Sequence, residues 1–476
     1  MGWADDLYGI LPIPLQDVAT SLKGLELRLL RENRGEIARF FSFLQESERW
    51  TRDAFQDYQW SRLRKVLTNA FARVPHYRDL MREKGFSLED FRDFEALWRI
   101  PILRKEDLRG HESEFIDQAA LPVIGGRNFT SGTTGTPLRL FEHRLAFSKR
   151  WAFVVRLRAW AGLPNPFFPR RAHFTGRNII PLHQDETIYW RRNLFQNSLL
   201  FSTAHISVES AIHYWRALHQ FQPELIDGYP SSLLSLVRIW KEQKLPCPSP
   251  KAIIVTSETL FPSDRAELEE AFHAKVFNQF AASEPSCFWG DCEYGNLHVN
   301  PEYGITEILD ENGQPAAPGI PGAVVVTSFL NPGMPLIRYR LGDMATLSPD
   351  QSCPCGRNMP IISFVEGRIE DFLYVPQRGF VMRVDPAFKG LSGIREAQVV
   401  QETLTGIRVL IVPDQEYSSE TQRLLERGLR LKLGSEVRLA YDLVDAIPRG
   451  PNGKFKPVVS KVRDAYPKFF QATAHP

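Results

Sequence analysis

One segment near the middle of the chain constrains the fold more than any other. The apolar run 252–256 suits a buried strand, Pro262 can begin a helix, and residues 275–280 are typical of the next strand. Together they predict a βαβ unit of a parallel sheet, in which ligands bind beyond the carboxyl ends of the strands. Those ends carry Ser257-Glu258-Thr259 and Ala282-Ser283-Glu284, so we expect a ligand site there.

A second feature is the loop-like stretch 129–137, which is rich in hydroxyl side chains and holds two glycines and a closing proline. Glycine allows the backbone to bend sharply and to approach a ligand closely. Exposed amides and hydroxyls in such a loop can surround phosphate oxygens. The stretch lacks the Gly-Lys-Ser/Thr ending of the Walker loop, so a different fold would hold the nucleotide. A plain hairpin turn is the alternative.

The residue patterns at the two ends of the chain predict other secondary structure than those of this middle part. The first 120 or so residues read mainly as helix, with one apolar stripe ending at Pro75. After residue 300, the runs 304–309, 323–329 and 337–341 predict antiparallel strands, and Asn312-Gly313 marks a hairpin. From about residue 371 we expect a smaller unit, with strands near 398–402 and 407–412 and a helix near 418–433.

Composition excludes several classes of protein. The 476 residues favour two or three domains, and a net charge of +2 gives no general affinity for nucleic acid or for an anionic membrane. No apolar run reaches the roughly 20 residues of a membrane helix, and no signal-peptide pattern precedes the first helix. Five cysteines do not suggest a disulfide scaffold, so a reducing, cytoplasmic setting is the expectation.

Five motifs in order carry a family resemblance. They are Thr130–Pro137, Phe280–Glu284, Tyr339–Asp343, Gly367–Asp371 and Pro448–Lys454. Their order and spacing resemble the adenylate-forming enzymes, the acyl-CoA synthetase superfamily, and most closely its phenylacetate–CoA ligase branch with the capsule-biosynthesis relatives. The resemblance implies an α/β fold with a large multi-layer N-terminal domain and a small, mobile α+β C-terminal domain. The expected divisions are 1–120 (mainly helical), 121–369 (ATP- and acid-binding core) and 370–476 (small domain).

The resemblance also implies a set of ATP-binding residues. Glu284 would hold Mg²⁺, and Asp343 would accept hydrogen bonds from the ribose hydroxyls. The full nucleotide set is Thr130, Ser131, Gly132, Thr133, Thr134 and Gly135 at the phosphates, Ser283 at the α-phosphate, Ser257, Glu258 and Asn278 at the adenine, and Asp343 and Arg368 at the ribose or phosphate. For Glu284 an acid at a helix N-terminus is the alternative, for Asp343 a turn residue, and for Arg368 a surface arginine.

Lys454 would be the catalytic lysine of the small domain. In the family it neutralises charge between the carboxylate and the α-phosphate, and Glu370 falls where relatives have a hinge residue that lets the small domain rotate. A merely basic tail is the alternative for Lys454. The chain departs from the family where a lysine is common beside the loop proline, since Thr136 and Leu138 flank it, and at Phe280-Ala281, where relatives have Tyr-Gly.

The implied activity joins a carboxylic acid to AMP with release of pyrophosphate and then passes the acyl group to CoA. An amine or another acceptor in place of CoA is one alternative, and a non-catalytic nucleotide-binding relative is the other. The resemblance suggests a homodimer but names neither the acid nor the acceptor.

A structural zinc site is a separate expectation. Cys292, His298, Cys353 and Cys355 form a Cys₃His set, and Gly295 and Gly356 would lie in turns around the ion. Similar positions occur in relatives of this branch. Free thiols in a hairpin region are the alternative, and Cys247 and Cys287 are expected to be packing residues.

Overall fold

The computed structural model describes residues 8, 11–30, 34–129, 138–175, 179–180, 187–282, 284–368, 372–375, 379–381, 384, 387–388, 391–450 and 455–462. The phosphate loop 130–137, Ser283, Glu370 and Lys454 therefore lie outside the described residues. Their assignments remain predictions, as do the domain boundaries.

The N-terminal region is helical, as the sequence predicts. Its helices are α1 (Ile13–Leu30), α2 (Arg34–Ser47), α3 (Arg52–Arg73), α4 (Pro75–Lys84) and the single turn α5 (Lys105–Leu108). The Thr51 hydroxyl accepts a hydrogen bond from the backbone N–H of Ala54 and so caps α3. Pro75 lies in the first turn of α4, where its missing N–H costs nothing, so the same residue ends one helix and begins the next.

A large sheet forms the centre of the molecule. Twelve strands within the described residues belong to it, in the spatial order β11-β12-β13-β14-β10-β9-β8-β7-β6-β3-β5-β4. Their bounds are β3 (Arg171–Thr175), β4 (Trp190–Asn193), β5 (Ser198–Ser202), β6 (Leu225–Gly228), β7 (Ala252–Thr256), β8 (Val276–Ala281), β9 (Phe288–Asp291), β10 (Leu297–Val299), β11 (Gly304–Leu309), β12 (Pro321–Ser328), β13 (Tyr339–Leu347) and β14 (Ile361–Arg368). A separate hairpin pairs β1 (Ile124–Phe129) with β2 (Arg139–His143).

One half of the large sheet is parallel. Strands β5, β3, β6, β7 and β8 run in the same direction. The predicted βαβ unit is confirmed: it consists of β7, the helix Pro262–Phe272 and β8. The helices in this part of the chain are α6 (Arg144–Trp160), α7 (Ala211–Phe221), α8 (Pro230–Glu242) and α9 (Pro262–Phe272). Strand β7 is buried at its first four positions, which explains its unbroken apolar sequence.

The other half of the sheet is antiparallel, as predicted for the residues after 300. Strand β13 begins at Tyr339, two residues later than expected. The backbone N–H groups of the two preceding residues donate to side chains and not to a neighbouring strand. The N–H of Ile337 donates to the Tyr77 hydroxyl, and the N–H of Arg338, which has a φ of 49°, donates to Thr327 Oγ1. Asn312-Gly313 lies in a turn between β11 and β12 that is closed by the N–H of Asp310 on the carbonyl of Gln314.

The C-terminal unit has its own sheet. Its strands are β15 (Leu373–Val375), β16 (Gly379–Val381), β17 (Ile394–Thr403), β18 (Gly406–Pro413), β19 (Arg438–Leu443) and β20 (Val458–Ser460), and its helix is α10 (Ser419–Leu433). Within the described residues β19, β18, β17 and β20 form one sheet in that order, and α10 buries Leu425, Leu429 and Leu433. The α/β class with a large N-terminal part and a C-terminal domain is confirmed. None of the described helices is both long and apolar enough to cross a membrane.

Candidate active site

The predicted ligand edge exists because three parallel strands end side by side. Gly228 of β6 is paired with Val255 of β7, and Thr256 of β7 is paired with Gln279 of β8. The residues that follow these strands therefore meet at one edge of the sheet. Ser257 turns the chain sharply there, with a φ of 71° that few non-glycine residues adopt.

Glu258 is the most heavily bonded acid at this edge. Its carboxylate accepts hydrogen bonds from the backbone N–H of Ser231 at 3.1 Å and from the Ser231 hydroxyl at 3.0 Å, at the start of α8. It also accepts one from the backbone N–H of Phe455, in the C-terminal unit, at 2.8 Å. Burial raises the pKa of the Glu258 carboxyl, although these hydrogen bonds and the nearby Arg449 oppose the rise. Glu258 thus ties the residue after Lys454 to the ligand edge.

Asp343 and Arg368 face each other across β13 and β14. Their Cα atoms are register partners, and Arg368 Nε lies 3.3 Å from Asp343 Oδ1. Arg368 also donates to the carbonyl of Leu341 at 2.8 Å, and a Cβ at Gly342 would lie 3.2 Å from its guanidinium. The two predicted ribose residues are therefore brought together as an ion pair.

The ends of β14 and β7 also approach each other. A Cβ at Gly367, where φ is 102°, would lie only 3.0 Å from Thr259 Oγ1. This close approach places the Ser257–Thr259 segment beside the strand end that carries Arg368.

Glu284 is buried between β8 and β9. It is 4% exposed and lies in a bend, so among the described residues it does not begin a helix, and the helix N-terminal alternative is wrong. The Tyr339 hydroxyl, which is also buried, donates to Glu284 Oε1 at 3.2 Å. Burial first, and then the charge of Glu284, hold the pKa of Tyr339 well above its usual value, so Tyr339 remains a hydrogen-bond donor.

Asn278 and Phe280 lie on β8 next to this acid. The backbone N–H of Asn278 donates to Asp291 Oδ2 at 2.7 Å, which fixes the strand to β9. The Phe280 ring stacks on Trp289 with the ring centroids 4.3 Å apart. The partly buried Phe280 thus packs against the fully buried Trp289, next to the strand end that leads to Glu284.

The predicted zinc ligands do converge. The donor atoms of Cys292, His298, Cys353 and Cys355 all lie within 4.8 Å of one another. Cys292 Sγ is 3.7 Å from Cys353 Sγ, and Cys355 Sγ is 3.4 Å from His298 Nε2. Zinc–sulfur bonds of about 2.3 Å in a tetrahedron give sulfur–sulfur distances of about 3.8 Å. The observed spacing therefore fits a tetrahedral ion.

The groups around these four residues suit metal ligands. His298 Nδ1 faces the carbonyl of Met359 at 3.2 Å, which leaves Nε2 to bind a metal. Gly295 and Gly356 have φ values of 79° and 75° and lie in the expected turns. Burial raises the pKa of the Cys292 thiol to about 12 and lowers that of His298 to about 4. A bound cation would offset the cost of a thiolate there and needs the neutral imidazole that burial favours.

The other two cysteines lie elsewhere. Cys287 is buried in the main core, and Cys247 packs, partly buried, against the core of the parallel half. Their predicted role as packing residues agrees with this placement.

Sequence reasoning missed three partners of the site: Ser231, Phe455 and the Tyr339 hydroxyl. Ser231 follows Gly228-Tyr229-Pro230, a strand end and a helix start that mark the same edge of the sheet. Tyr339 opens a motif that was already singled out, but a partner 55 residues away in the chain has no sequence signal.

The chain is similar in sequence to several known proteins. The CapK C-terminal domain model matches residues 373–461. Protein CapK of Staphylococcus aureus is 24% identical over 465 residues, covering 96% of this chain and 99% of CapK. Phenylacetate–coenzyme A ligase of Thermus thermophilus is 26% identical over 345 residues, covering 69% of this chain and 74% of that ligase.

A solved structure gives the fold. 2-Hydroxyisobutyryl-CoA ligase in its postadenylation state matches with a TM-score of 0.70 and 19% identity, over 88% of this chain and 92% of that chain. The same ligase in its thioesterification state matches with a TM-score of 0.55. The fold is therefore that of the acyl-CoA ligases of the adenylate-forming superfamily. By sequence, this chain is similar to CapK and to the phenylacetate–CoA ligases.

Proposed function

We propose that this protein is an ATP-dependent carboxylate-activating ligase that makes an acyl-adenylate and passes the acyl group to CoA. The single observation that carries the proposal is the hydrogen bond from the Phe455 N–H to Glu258. It joins the residue next to Lys454 to the edge of the sheet that carries Ser257 and Glu258. Homology to the phenylacetate–CoA ligases supports the same reaction class.

The first step forms one bond and breaks one. A carboxylate oxygen of the acid attacks the α-phosphorus of ATP, and pyrophosphate leaves with the electron pair of the broken P–O bond. Glu284 would hold Mg²⁺ on the phosphates, with Tyr339 orienting its carboxylate. The loop 130–135 would cover the outer phosphates, and Lys454 would neutralise the charge that gathers between the two reactants.

The nucleoside would lie across the strand ends. Asp343 would accept hydrogen bonds from the ribose, and its pairing with Arg368 holds its carboxylate in place. Ser257 and Asn278 would border the adenine. The Glu258 carboxylate, by contrast, already accepts hydrogen bonds from Ser231 and Phe455. We therefore assign Glu258 to holding the C-terminal unit in position.

In the second step a thiolate attacks the acyl carbon and AMP leaves. The small domain must then move Lys454 away, and residue 370 is the proposed hinge. The described contacts between the two units favour the first-step arrangement, as does the higher TM-score with the postadenylation state than with the thioesterification state of 2-hydroxyisobutyryl-CoA ligase. The acceptor is assigned to CoA by homology, and the acid is left open.

Zinc is proposed as a structural ion. Its ligands would come from the residue after β9 (Cys292), strand β10 (His298) and the loop before β14 (Cys353 and Cys355), so the ion would hold these segments of the antiparallel half together. All four tetrahedral positions would be filled by protein atoms, which leaves no open position for catalysis.

Pyrophosphate release tests the proposal. Purified protein with ATP and Mg²⁺ is given a panel of aryl, fatty and amino acids without an acceptor, and release with one acid class is the expected result. CoA and simple amines are then compared as acceptors by AMP release. The Lys454→Ala variant should lose the first step. The matched control is Lys461→Ala, which removes an exposed lysine directly after β20 and should keep the first step. ATP binding with no acid-dependent release across the panel would contradict the proposal and favour a non-catalytic relative.

A further inference from the structure

A cavity of about 510 Å³ opens at the edge of the sheet that lies opposite the candidate active site. Arg171, the first residue of β3, lines it, as do Phe195 and Gln196, which lie in the short turn between β4 and β5. These are the amino ends of parallel strands, whereas the nucleotide residues follow the carboxyl ends. We call this cavity the arginine pocket.

Positive charge dominates its wall. Four arginines from four elements converge on it: Arg28 of α1, Arg34 of α2, Arg158 of α6 and Arg171 of β3. No Asp or Glu is among the described residues that line the pocket. Behind the wall, Arg171 lies 3.4 Å from Asp227, which also contacts His173. Burial opposes ionisation of Asp227, but Arg171, His173 and, more weakly, Arg158 outweigh it and lower the pKa of Asp227 to about 2, so one carboxylate lies near two of the four arginines.

Two of the remaining guanidinium groups are held in place. Arg28 donates to the carbonyl of Phe195 at 2.6 Å and lies over the Phe168 ring, 4.6 Å from its centroid. Arg158 is 3% exposed and donates to the carbonyl of Pro166 at 3.3 Å. A guanidinium that is already oriented loses little entropy on binding, and its planar fork matches phosphate or carboxylate oxygens.

The rest of the wall is aromatic. Trp151, Phe167, Phe168 and Phe195 line the pocket. Phe167 is 42% exposed and Phe195 is 37% exposed, so two large rings face solvent beside the arginines. Flat rings stack on such side chains and on guanidinium planes. The volume falls within the roughly 300–1,000 Å³ of small-molecule sites.

We propose that the arginine pocket binds a small ligand in which a phosphate is attached to a flat aromatic ring, and that this ligand site is separate from the nucleotide site. Phosphate meets the paired donors of the arginines, and the ring packs against the phenylalanines. The chemistry covers an aryl phosphate and, at the upper end of size, a nucleotide. The proposal does not depend on the activity assigned above.

Calorimetric titration of the full chain with phenyl phosphate tests the proposal, with inorganic phosphate as the ringless comparison. One phenyl phosphate per chain is expected, and inorganic phosphate should bind more weakly because it lacks the ring. Arg34→Gln removes an exposed charge and should weaken binding about fivefold or more, as for loss of one charge-assisted contact. Ala38→Trp fills the pocket and should abolish binding without changing the charge.

Arg39→Gln is the matched control, because it removes another exposed arginine of the same helix that does not line the pocket. Its binding should stay within about twofold of the starting protein. Thermal unfolding midpoints of all variants check that each is folded. Absence of phenyl phosphate binding at millimolar concentration, or binding that Ala38→Trp leaves unchanged, would overturn the proposal. Equal affinity for inorganic phosphate would reduce the pocket to a surface anion site and overturn the ligand class.

Discussion

The hydrogen bond from Tyr339 to Glu284 gives a sharp test of how the proposed magnesium site works. Tyr339→Phe removes one hydroxyl and keeps the ring, which is buried in the main core. A hydrogen bond to a charged group contributes about 1.5–3 kcal/mol. The observed 3.2 Å is long for a hydroxyl donor, so the lower end, about 1.5 kcal/mol, applies.

That free energy corresponds to about a tenfold effect, because 1.36 kcal/mol is tenfold in rate or affinity. If Tyr339 orients Glu284 for Mg²⁺, the variant should need about tenfold more Mg²⁺ for half-maximal acid-dependent pyrophosphate release. The rate at saturating Mg²⁺ should recover much of the loss, since the remaining ligands are intact. The assay is a Mg²⁺ titration at saturating ATP and acid.

Tyr77→Phe is the control for general damage to this region. The Tyr77 hydroxyl is equally buried, donates to the carbonyl of Pro335 and accepts from the N–H of Ile337, just before β13. Its loss should lower stability by about 1–3 kcal/mol and leave the Mg²⁺ dependence alone. An unchanged Mg²⁺ midpoint in Tyr339→Phe, or an equal shift in Tyr77→Phe, would refute the role assigned to Tyr339.

Three further outcomes are expected. The Lys454→Ala variant should form the acyl-adenylate about 100-fold or more slowly, but it should still form the thioester from a supplied acyl-adenylate. Equal losses in both steps would contradict the role assigned to this lysine. Glu258→Gln should weaken the contact with Phe455 and slow only the first step, by about tenfold, and a uniform effect in the two half-reactions would contradict this. Elemental analysis should find one zinc ion per chain. The Cys353→Ser variant should lose the zinc and have a thermal unfolding midpoint several degrees lower, while the Cys247→Ser variant should keep the zinc. A metal-free protein of unchanged stability would exclude the site.

Local pattern was enough to predict the parallel unit, and it singled out the Cys₃His set whose donor atoms converge. Strand β7 is a continuous apolar run because both faces are buried, and such runs are readable in one dimension. These four candidate ligands were recognisable because three are cysteines that, with the histidine, lie near two glycines, and the family resemblance supported the set. The order of motifs along the chain, through a family resemblance, supplied the rest of the site.

Contacts between distant segments were not predictable in the same way. The bond from Phe455 to Glu258 spans 197 residues, and its donor is a backbone N–H that every residue except proline has. The late start of β13 likewise depends on Tyr77, a residue 260 positions from its partner Ile337. Such pairings depend on how whole elements pack, and residue type carries little information about them.

The interface between the two units has the character that a moving domain needs. Besides Glu258 and Phe455, it includes Arg238 donating to the carbonyl of Arg395 and the Arg395 side chain pairing with Glu242 at 3.0 Å. These contacts are polar and partly exposed, and each can be replaced by water at small cost. In the proposed mechanism, these contacts between described residues would hold the small domain for adenylation with a few hydrogen bonds and ion pairs, which can be broken at small cost. A hydrophobic interface of the same size would trap the enzyme after the first step, so we expect that apolar substitutions at Arg395 and Glu242 together would slow thioester formation more than adenylation.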